Sequence, residues 1–285
     1  MQSLRAAAIL FIFLFTSAFV IPLQSIGLRF HILGYRRMPF IYQRFLSRLF
    51  GLHVRVIGTP VQDRGVLMVS NHTSYLDILA IGGSARVSFV AKSEVAGWAL
   101  FGTFARLQRT VFVDRQHRSR TGEARDQIAS RLREGDALVL FPEGTSDDGN
   151  RVLPFKSALM GAAETDVGKD GQVERVPVQP VSITYVGVHG LPMGREYRPL
   201  FAWYGDMDLI PHLWESLVTG PVDVVLEFHP PMTVDSVGGR KNLAPIIEAI
   251  VRRGQTRALA GLAEEPAEIA VPAKAPEAGL AQAAA

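Results

Sequence analysis

Seven short apolar runs, at 53–57, 66–70, 87–91, 110–113, 137–141, 176–185 and 222–228, constrain the fold of this 285-residue chain more than any other feature. Each has strand length, and segments with helical character separate most of them, near 78–80 and at 94–107, 118–133, 155–164 and 242–253. Strands interleaved with helices predict an α/β class domain, a mixed sheet covered by helices. Ligand chemistry is then expected in loops that follow strand ends.

The first 50 residues read differently. Residues 6–23 carry no charge, about the lower limit for spanning a bilayer, and Arg5 is the only charge ahead of them. Arg29, Arg36, Arg37, Arg44 and Arg48 follow, which by the positive-inside rule puts the downstream chain in the cytoplasm. A cleaved signal peptide and an anchor that dips in without crossing are the competing readings. In 40–50, Ile41, Phe45 and Leu49 recur at helical spacing with Arg37, Arg44 and Arg48 on another side. That pattern suits a helix lying on an anionic membrane, or one packing on the domain core. Beyond Arg257 the chain becomes rich in Ala, Glu and Pro. The expected organisation is therefore a helical membrane anchor and amphipathic linker at 1–50, a folded domain at 51–256 and a disordered tail at 257–285.

Composition removes several chemistries. There is no cysteine, so there is no disulfide, thiol nucleophile or Cys-ligated zinc. No Gly-x-Ser-x-Gly elbow, His-Glu-x-x-His pair or Walker loop occurs. His31, His53, His117, His189, His212 and His229 lack ligand spacing, so no metal site is expected. The formal charge of +3 is modest, most of the basic residues are arginine, and no nucleic-acid partner is expected.

Two motifs sit just past expected strands. The first is Asn71-His72-Thr73-Ser74-Tyr75-Leu76-Asp77, an imidazole five residues ahead of a carboxylate. With seven His and 13 Asp in 285 residues, chance supplies roughly 0.3 such pairs per chain, so context must decide. On a helix, positions five apart point about 140° apart, so His72 and Asp77 meet only if a strand-to-helix turn bends between them. They then form a general base and its orienting acid; otherwise Asp77 merely caps a helix. The second motif is Phe141-Pro142-Glu143-Gly144-Thr145, followed by the polar turn Ser146-Asp147-Asp148-Gly149-Asn150-Arg151. A Glu beside a Gly suits acceptance from a substrate hydroxyl with close backbone approach, and a bare turn looks similar. Arg115 ends the run Val111-Phe112-Val113-Asp114 at the same kind of strand end, within eight arginines between Arg106 and Arg133. With no thiol or elbow serine, a His-Asp base is best used on a hydroxyl of the substrate itself.

The ordered set Asn71-His72-x4-Asp77, Val111-Phe112-Val113-Asp114-Arg115, Phe141-Pro142-Glu143-Gly144-Thr145 and Val176-Pro177-Val178-Gln179-Pro180-Val181 resembles the four sequence blocks of the glycerolipid acyltransferases typified by 1-acylglycerol-3-phosphate acyltransferase. The resemblance implies that His72, assisted by Asp77, deprotonates an acceptor hydroxyl that attacks the thioester of a fatty acyl donor. It implies that Arg115, Glu143 and Gly144, with Thr145 beside them, line the acceptor site, and that the fourth block packs near the donor. Acyl carrier protein or coenzyme A would carry the donor as co-substrate, with no resident cofactor, and the Arg-rich span could meet either carrier. A membrane lysolipid would be the acceptor, at the cytoplasmic face of a bacterial inner membrane.

One departure bears on the acceptor. The third block of that family usually continues with Arg, whereas here Ser146 and Asp147 follow Thr145. The longer run from Phe141 through Asp148 and Arg151 to Leu159 resembles the bacterial branch that acylates lyso-ornithine lipid, whose head group has no phosphate and carries an ammonium. Asp147 or Asp148 would favour that cation; Arg151 or Lys156 folding back would restore phosphate binding. The competing functions are a membrane-tethered lipid-binding protein and an acyl thioesterase. Val95, Trp98, Leu100, Phe101 and Phe104 are either an acyl tunnel or ordinary core.

Overall fold

The computed structural model describes residues 1–32, 34–114, 120–169 and 172–263. Helices α1 (Gln2–Phe30) and α2 (Met38–Leu49) lead into β1 (Leu52–Ile57), β2 (Val66–Ser70), α3 (Leu76–Gly82), β3 (Ser88–Lys92), α4 (Ala99–Leu107), β4 (Val111–Val113), α5 (Arg120–Arg133) and β5 (Ala137–Leu140). A small antiparallel pair, β6 (Asp166–Lys169) and β7 (Gln172–Arg175), precedes the long β8 (Val178–Val188). The chain continues through β9 (Leu191–Pro192), α6 (Leu209–Thr219), β10 (Val222–Phe228) and α7 (Arg240–Leu259).

The main sheet has the order β1-β10-β8-β2-β5-β3-β4, with β9 on the end of β8. Strands β2, β3, β4, β5 and β8 run parallel, whereas β10 opposes β8 and β1 follows β10. This is the mixed sheet that the alternating runs predict. Strand β2 shows why its run is uninterrupted by charge: Val66 and Met68 face one core, Leu67 and Val69 the other, and all four are fully buried. Burying each such side chain contributes about 1.5–3 kcal/mol, which fixes the strand centrally. One face is covered by α1, α2, α3 and α6, the other by α5 and α7. Because β2, β4 and β5 are parallel, the loops after Ser70, Val113 and Leu140 emerge along one sheet edge.

Three segments depart from the sequence expectation. The helix expected over 94–107 is broken at Trp98, whose extended backbone (φ −74°, ψ 126°) separates a 3-10 turn, Ser93–Gly97, from α4. In 155–164 only Leu159–Glu164 is helical, as a 3-10 turn. Upstream, the backbone N–H groups of Phe155 and Lys156 donate to the Glu248 carboxylate (2.9 Å) and the Pro142 carbonyl (3.0 Å), so they are unavailable to a helix. Helix α6 was not expected, although Leu213 and Leu217 are buried on one side of it at i, i+4 spacing.

The anchor is integrated with the domain. Among the described residues, α1 is the one helix long and apolar enough to cross a membrane, with a window of mean hydropathy 2.5. Yet it packs on the domain along its length. Arg5 donates to the Leu217 carbonyl (2.7 Å), Phe13 meets Phe50 and Phe104, Ser17 bonds the Tyr42 hydroxyl (2.8 Å), and Gln24 donates to the Leu107 carbonyl (3.1 Å). The opposite side, with Phe11, Phe15 and Phe19, is exposed. Residue 50 is thus no break in packing, and Ala6 and Phe13 belong to the core that sequence reading kept separate from α1. At the other end, α7 runs to Leu259, past the expected tail boundary; 264–285 lie outside the described residues.

Candidate active site

Strand β2 ends at Ser70, and Asn71 continues its pairing with side-chain atoms. Its amide nitrogen donates to the Ile183 carbonyl and its amide oxygen accepts from the Ile183 N–H, both at 2.9 Å. This ties the turn to β8 and fixes where the next residue points. The turn then bends so that His72 Nδ1 lies 2.8 Å from Asp77 Oδ2, in the first turn of α3. Asp77 is fully buried and accepts four hydrogen bonds. Oδ2 also takes the N–H groups of Thr73 (2.7 Å) and Ser74 (3.0 Å), and Oδ1 takes the Tyr185 hydroxyl (2.7 Å).

This arrangement sets the chemistry of His72. An acceptor-only carboxylate at Nδ1 holds the proton there and leaves the Nε2 lone pair outward. Nε2 has no hydrogen-bond partner among the described residues, and the His72 side chain keeps 21% of its surface. Phe141 stacks on the ring at 4.2 Å and 20°, and Phe89 lies behind Phe141. The geometry is that of an oriented general base.

Tyr185 was not foreseen from the sequence. It falls on the same strand face as Val181 and Ile183, so period-two counting from the fourth block reaches it. Burial and the adjacent Asp77 carboxylate push its phenol well above its ordinary range, so it remains a donor. Tyr185→Phe leaves Asp77 Oδ1 without this donor. The expected result is a kcat lower by roughly three- to tenfold with KM unchanged, and a loss of about 1–3 kcal/mol in unfolding free energy. Steady-state kinetics with urea denaturation check both.

The loop after β5 meets this turn. Glu143 is buried, and its carboxyl accepts the N–H groups of His72 (3.4 Å) and Leu153 (3.2 Å). Burial pushes Glu143 up to about 8; the Leu153 and His72 donors hold it below what burial alone gives, and Asp77 and Asp147 add to the rise. Near neutral pH it therefore keeps its proton and braces the two loops without a buried charge. Gly144 takes a left-handed turn (φ 81°), and Thr145 is exposed. The Asp147 N–H donates to the His72 carbonyl (3.3 Å), and its side chain pairs with exposed Arg151 (2.6 Å). Asp148 instead takes the backbone and side-chain N–H groups of Asn150 (2.9 and 3.0 Å). Arg115 lies outside the described residues.

A segment that no motif identified closes the site. Trp203 donates its N–H to the Thr73 carbonyl (3.0 Å) and accepts from the Ser146 hydroxyl, and Phe201 stacks on Tyr185. Arg198, on the same segment, donates to the Asn150 side-chain oxygen (2.6 Å). Alongside, a cavity of about 180 Å³ runs between α1, α2, α3 and α4. Its apolar lining includes Phe13, Val20, Tyr75 and Phe89, with Val95, Trp98, Phe101 and Phe104 of the expected tunnel; Leu100 packs into the core instead. The fourth block is the start of β8, where Gln179 braces the Thr59 and His229 carbonyls (2.9 and 3.0 Å). In the Arg-rich span, Arg109 and Arg131 are tied to Asp136.

A second constellation looks catalytic and is walled in. Ser182 Oγ lies 3.0 Å from His229 Nε2, whose Nδ1 is 3.4 Å from Glu227. All three residues are at most 3% exposed, and α7 approaches so closely at Gly254 that a Cβ there would stand 2.3 Å from Ser182 Oγ. No substrate reaches them. Among the described residues, no three His, Asp or Glu side chains gather as a metal-binding group.

The match to known proteins coincides with this geometry. A model of the Acyltransferase family covers residues 53–184, from β1 into β8. A lyso-ornithine lipid O-acyltransferase of Brucella abortus (strain 2308) is 48% identical over 242 residues, 85% of this chain and 90% of its own length. The chain belongs to the acyltransferase family. A lyso-ornithine lipid O-acyltransferase of Rhizobium meliloti (strain 1021) is 40% identical, over 90% of each chain. The crystal structure of the 1-acyl-sn-glycerophosphate acyltransferase PlsC from Thermotoga maritima superposes with a TM-score of 0.61 at 26% identity, covering 89% of this acyltransferase and 92% of that chain. The fold and the enzyme class that the four blocks imply are thus those of this acyltransferase.

Proposed function

We propose that this acyltransferase moves a fatty acyl group from an acyl thioester to the hydroxyl of lyso-ornithine lipid in the membrane. The observation that carries the reading is the His72-Asp77 pair with Nε2 open, its ring stacked on Phe141 and Phe141 on Phe89, which lines the apolar cavity. His72 Nε2 takes the acceptor's hydroxyl proton as its oxygen bonds to the thioester carbonyl carbon. The tetrahedral intermediate collapses, the carbon–sulfur bond breaks, and the thiolate takes the proton from the imidazolium. Ester and free thiol leave; no step needs a metal or a resident cofactor. Asp77 stabilises the transient imidazolium, and the cavity between α1 and α4 takes an acyl chain.

Support for the acceptor comes from the turn after Thr145 and from the two lyso-ornithine lipid relatives. Where the wider family usually places a cation, Ser146 stands, and Arg151 pairs with the next residue, Asp147. That pairing spends the charge a phosphate would need. Gly144, Thr145, Asp148 and, outside the described residues, Arg115 are the further residues assigned to the acceptor side. The exposed aromatic side of α1 and the arginines that follow it support action at the cytoplasmic face of the membrane. An acceptor panel tests the reading: lyso-ornithine lipid is expected to exceed lysophosphatidate in kcat/KM at saturating donor. Equal or better use of lysophosphatidate would count against it.

A further inference from the structure

We propose that Arg198 and Asp148 form a zwitterion-reading pair, Arg198 taking the head-group carboxylate of the acceptor and Asp148 its ammonium. The assignment rests on the acceptor reading above and goes beyond it, because Arg198 belongs to no sequence block and the carboxylate has had no partner.

Besides Arg195, whose charge acts on both Asp148 and Arg198, four charged side chains crowd the turn beside His72, and two of them cancel. Asp147 and Arg151 form an ion pair at 2.6 Å. Asp148 and Arg198 do not pair with each other: Asn150 stands between them, donating to both Asp148 oxygens and accepting from Arg198 Nη1. Among the described residues, neither Asp148 nor Arg198 makes a salt bridge. One of the five guanidinium N–H donors of Arg198 is used in that bond, and Nε is buried with no partner. The two oxygens of Asp148 have lone pairs left after the Asn150 bonds. A neutral spacer thus keeps two opposite, unspent charges apart.

That pattern matches one ligand chemistry better than others. An ornithine head group linked through its α-amine has a free carboxylate at one end of a short methylene chain and an ammonium at the other. A phosphate has negative charge alone and would meet Asp148 as a repulsion. The pair is also held rigidly against the base. Gly149 (φ 80°) packs so that a Cβ there would lie 3.1 Å from the Thr73 methyl group and 3.8 Å from Arg198 Cβ. Trp203 N–H anchors the Arg198 segment to the Thr73 carbonyl, one residue from His72. Partial burial pushes the Asp148 carboxyl up, but Asn150 donors and nearby Arg151 and Arg195 outweigh it and hold it below its usual range, so it stays charged.

The test measures kcat and KM of the full chain in mixed micelles with saturating acyl thioester. Acceptors are lyso-ornithine lipid, its derivative with the carboxylate converted to a carboxamide, and lysophosphatidate. For lyso-ornithine lipid, Arg198→Gln is expected to raise KM about ten- to a hundredfold with kcat within a few-fold, and Arg198→Lys to recover part of the loss. The carboxamide should raise the wild-type KM by a similar factor and leave little further effect for Arg198→Gln. Equal losses on both ornithine acceptors would make Arg198 a loop brace and overturn the assignment. Should Arg198→Gln fail to fold, wild type decides: indifference to amidation overturns it. Wild-type preference for lysophosphatidate overturns the acceptor reading and this assignment together, whereas preference for lyso-ornithine lipid without an amidation effect overturns this assignment alone.

Discussion

His72→Ala is expected to lower kcat by roughly 10²–10⁴-fold, the range by which a positioned general base accelerates proton transfer. The loss is large because nothing nearby can substitute. Glu143 is buried, keeps its proton near neutral pH and spends both oxygens on backbone N–H groups. Ser182 and His229 are sealed beneath α7. The variant should remain folded and membrane-associated, since His72 contributes a partly exposed ring stacked on Phe141 and no core volume. Turnover assays alongside circular dichroism check this; a folded variant with undiminished transfer would remove His72 from the mechanism.

Asp77→Asn is expected to cost about a hundredfold or more in kcat with a smaller effect on folding. Asparagine has nearly the same shape, and its amide oxygen can accept from His72, Thr73 and Ser74 where Oδ2 now does. Its amide nitrogen then faces the Tyr185 hydroxyl, which can turn from donor to acceptor. The imidazole keeps its tautomer and orientation; what disappears is the negative charge that, in the proposed mechanism, stabilises the imidazolium in the transition state. Asp77→Ala should be worse for stability, because it leaves four donors without their acceptor. Comparing kcat with the urea midpoint for the two variants separates charge from structure. An Asp77→Asn enzyme with wild-type kcat would show the carboxylate to be a cap on α3 and nothing more.

The sheet was legible because buried parallel strands must be apolar throughout, as Val66 to Val69 are, and because loops at their ends must be polar. The turn between His72 and Asp77 was legible only as a requirement. The residues that meet it, Asn71 against Ile183 and Tyr185 against Asp77, act across more than 100 positions of sequence. Local pattern cannot register such pairings. The helix break around Phe155 escaped for the same reason, since the Glu248 carboxylate that captures the Phe155 N–H belongs to α7. The anchor misled in a different way: apolar composition says that α1 avoids water, and Phe13 shows that part of it does so inside the domain. Arg198 carried no signal at all, because an arginine in a short polar stretch with Arg195 and Glu196 just ahead of it resembles any surface charge.

The most direct measurement follows a labelled acyl thioester incubated with the full chain, with and without lyso-ornithine lipid, and separates the products by thin-layer chromatography. Label is predicted to enter a diacylated ornithine lipid only when the lysolipid is present, with free fatty acid at the level of the His72→Ala control. Free acid released without acceptor would make the chain a thioesterase, and bound lysolipid with no labelled product would make it a binding protein; either result would contradict acyl transfer by His72.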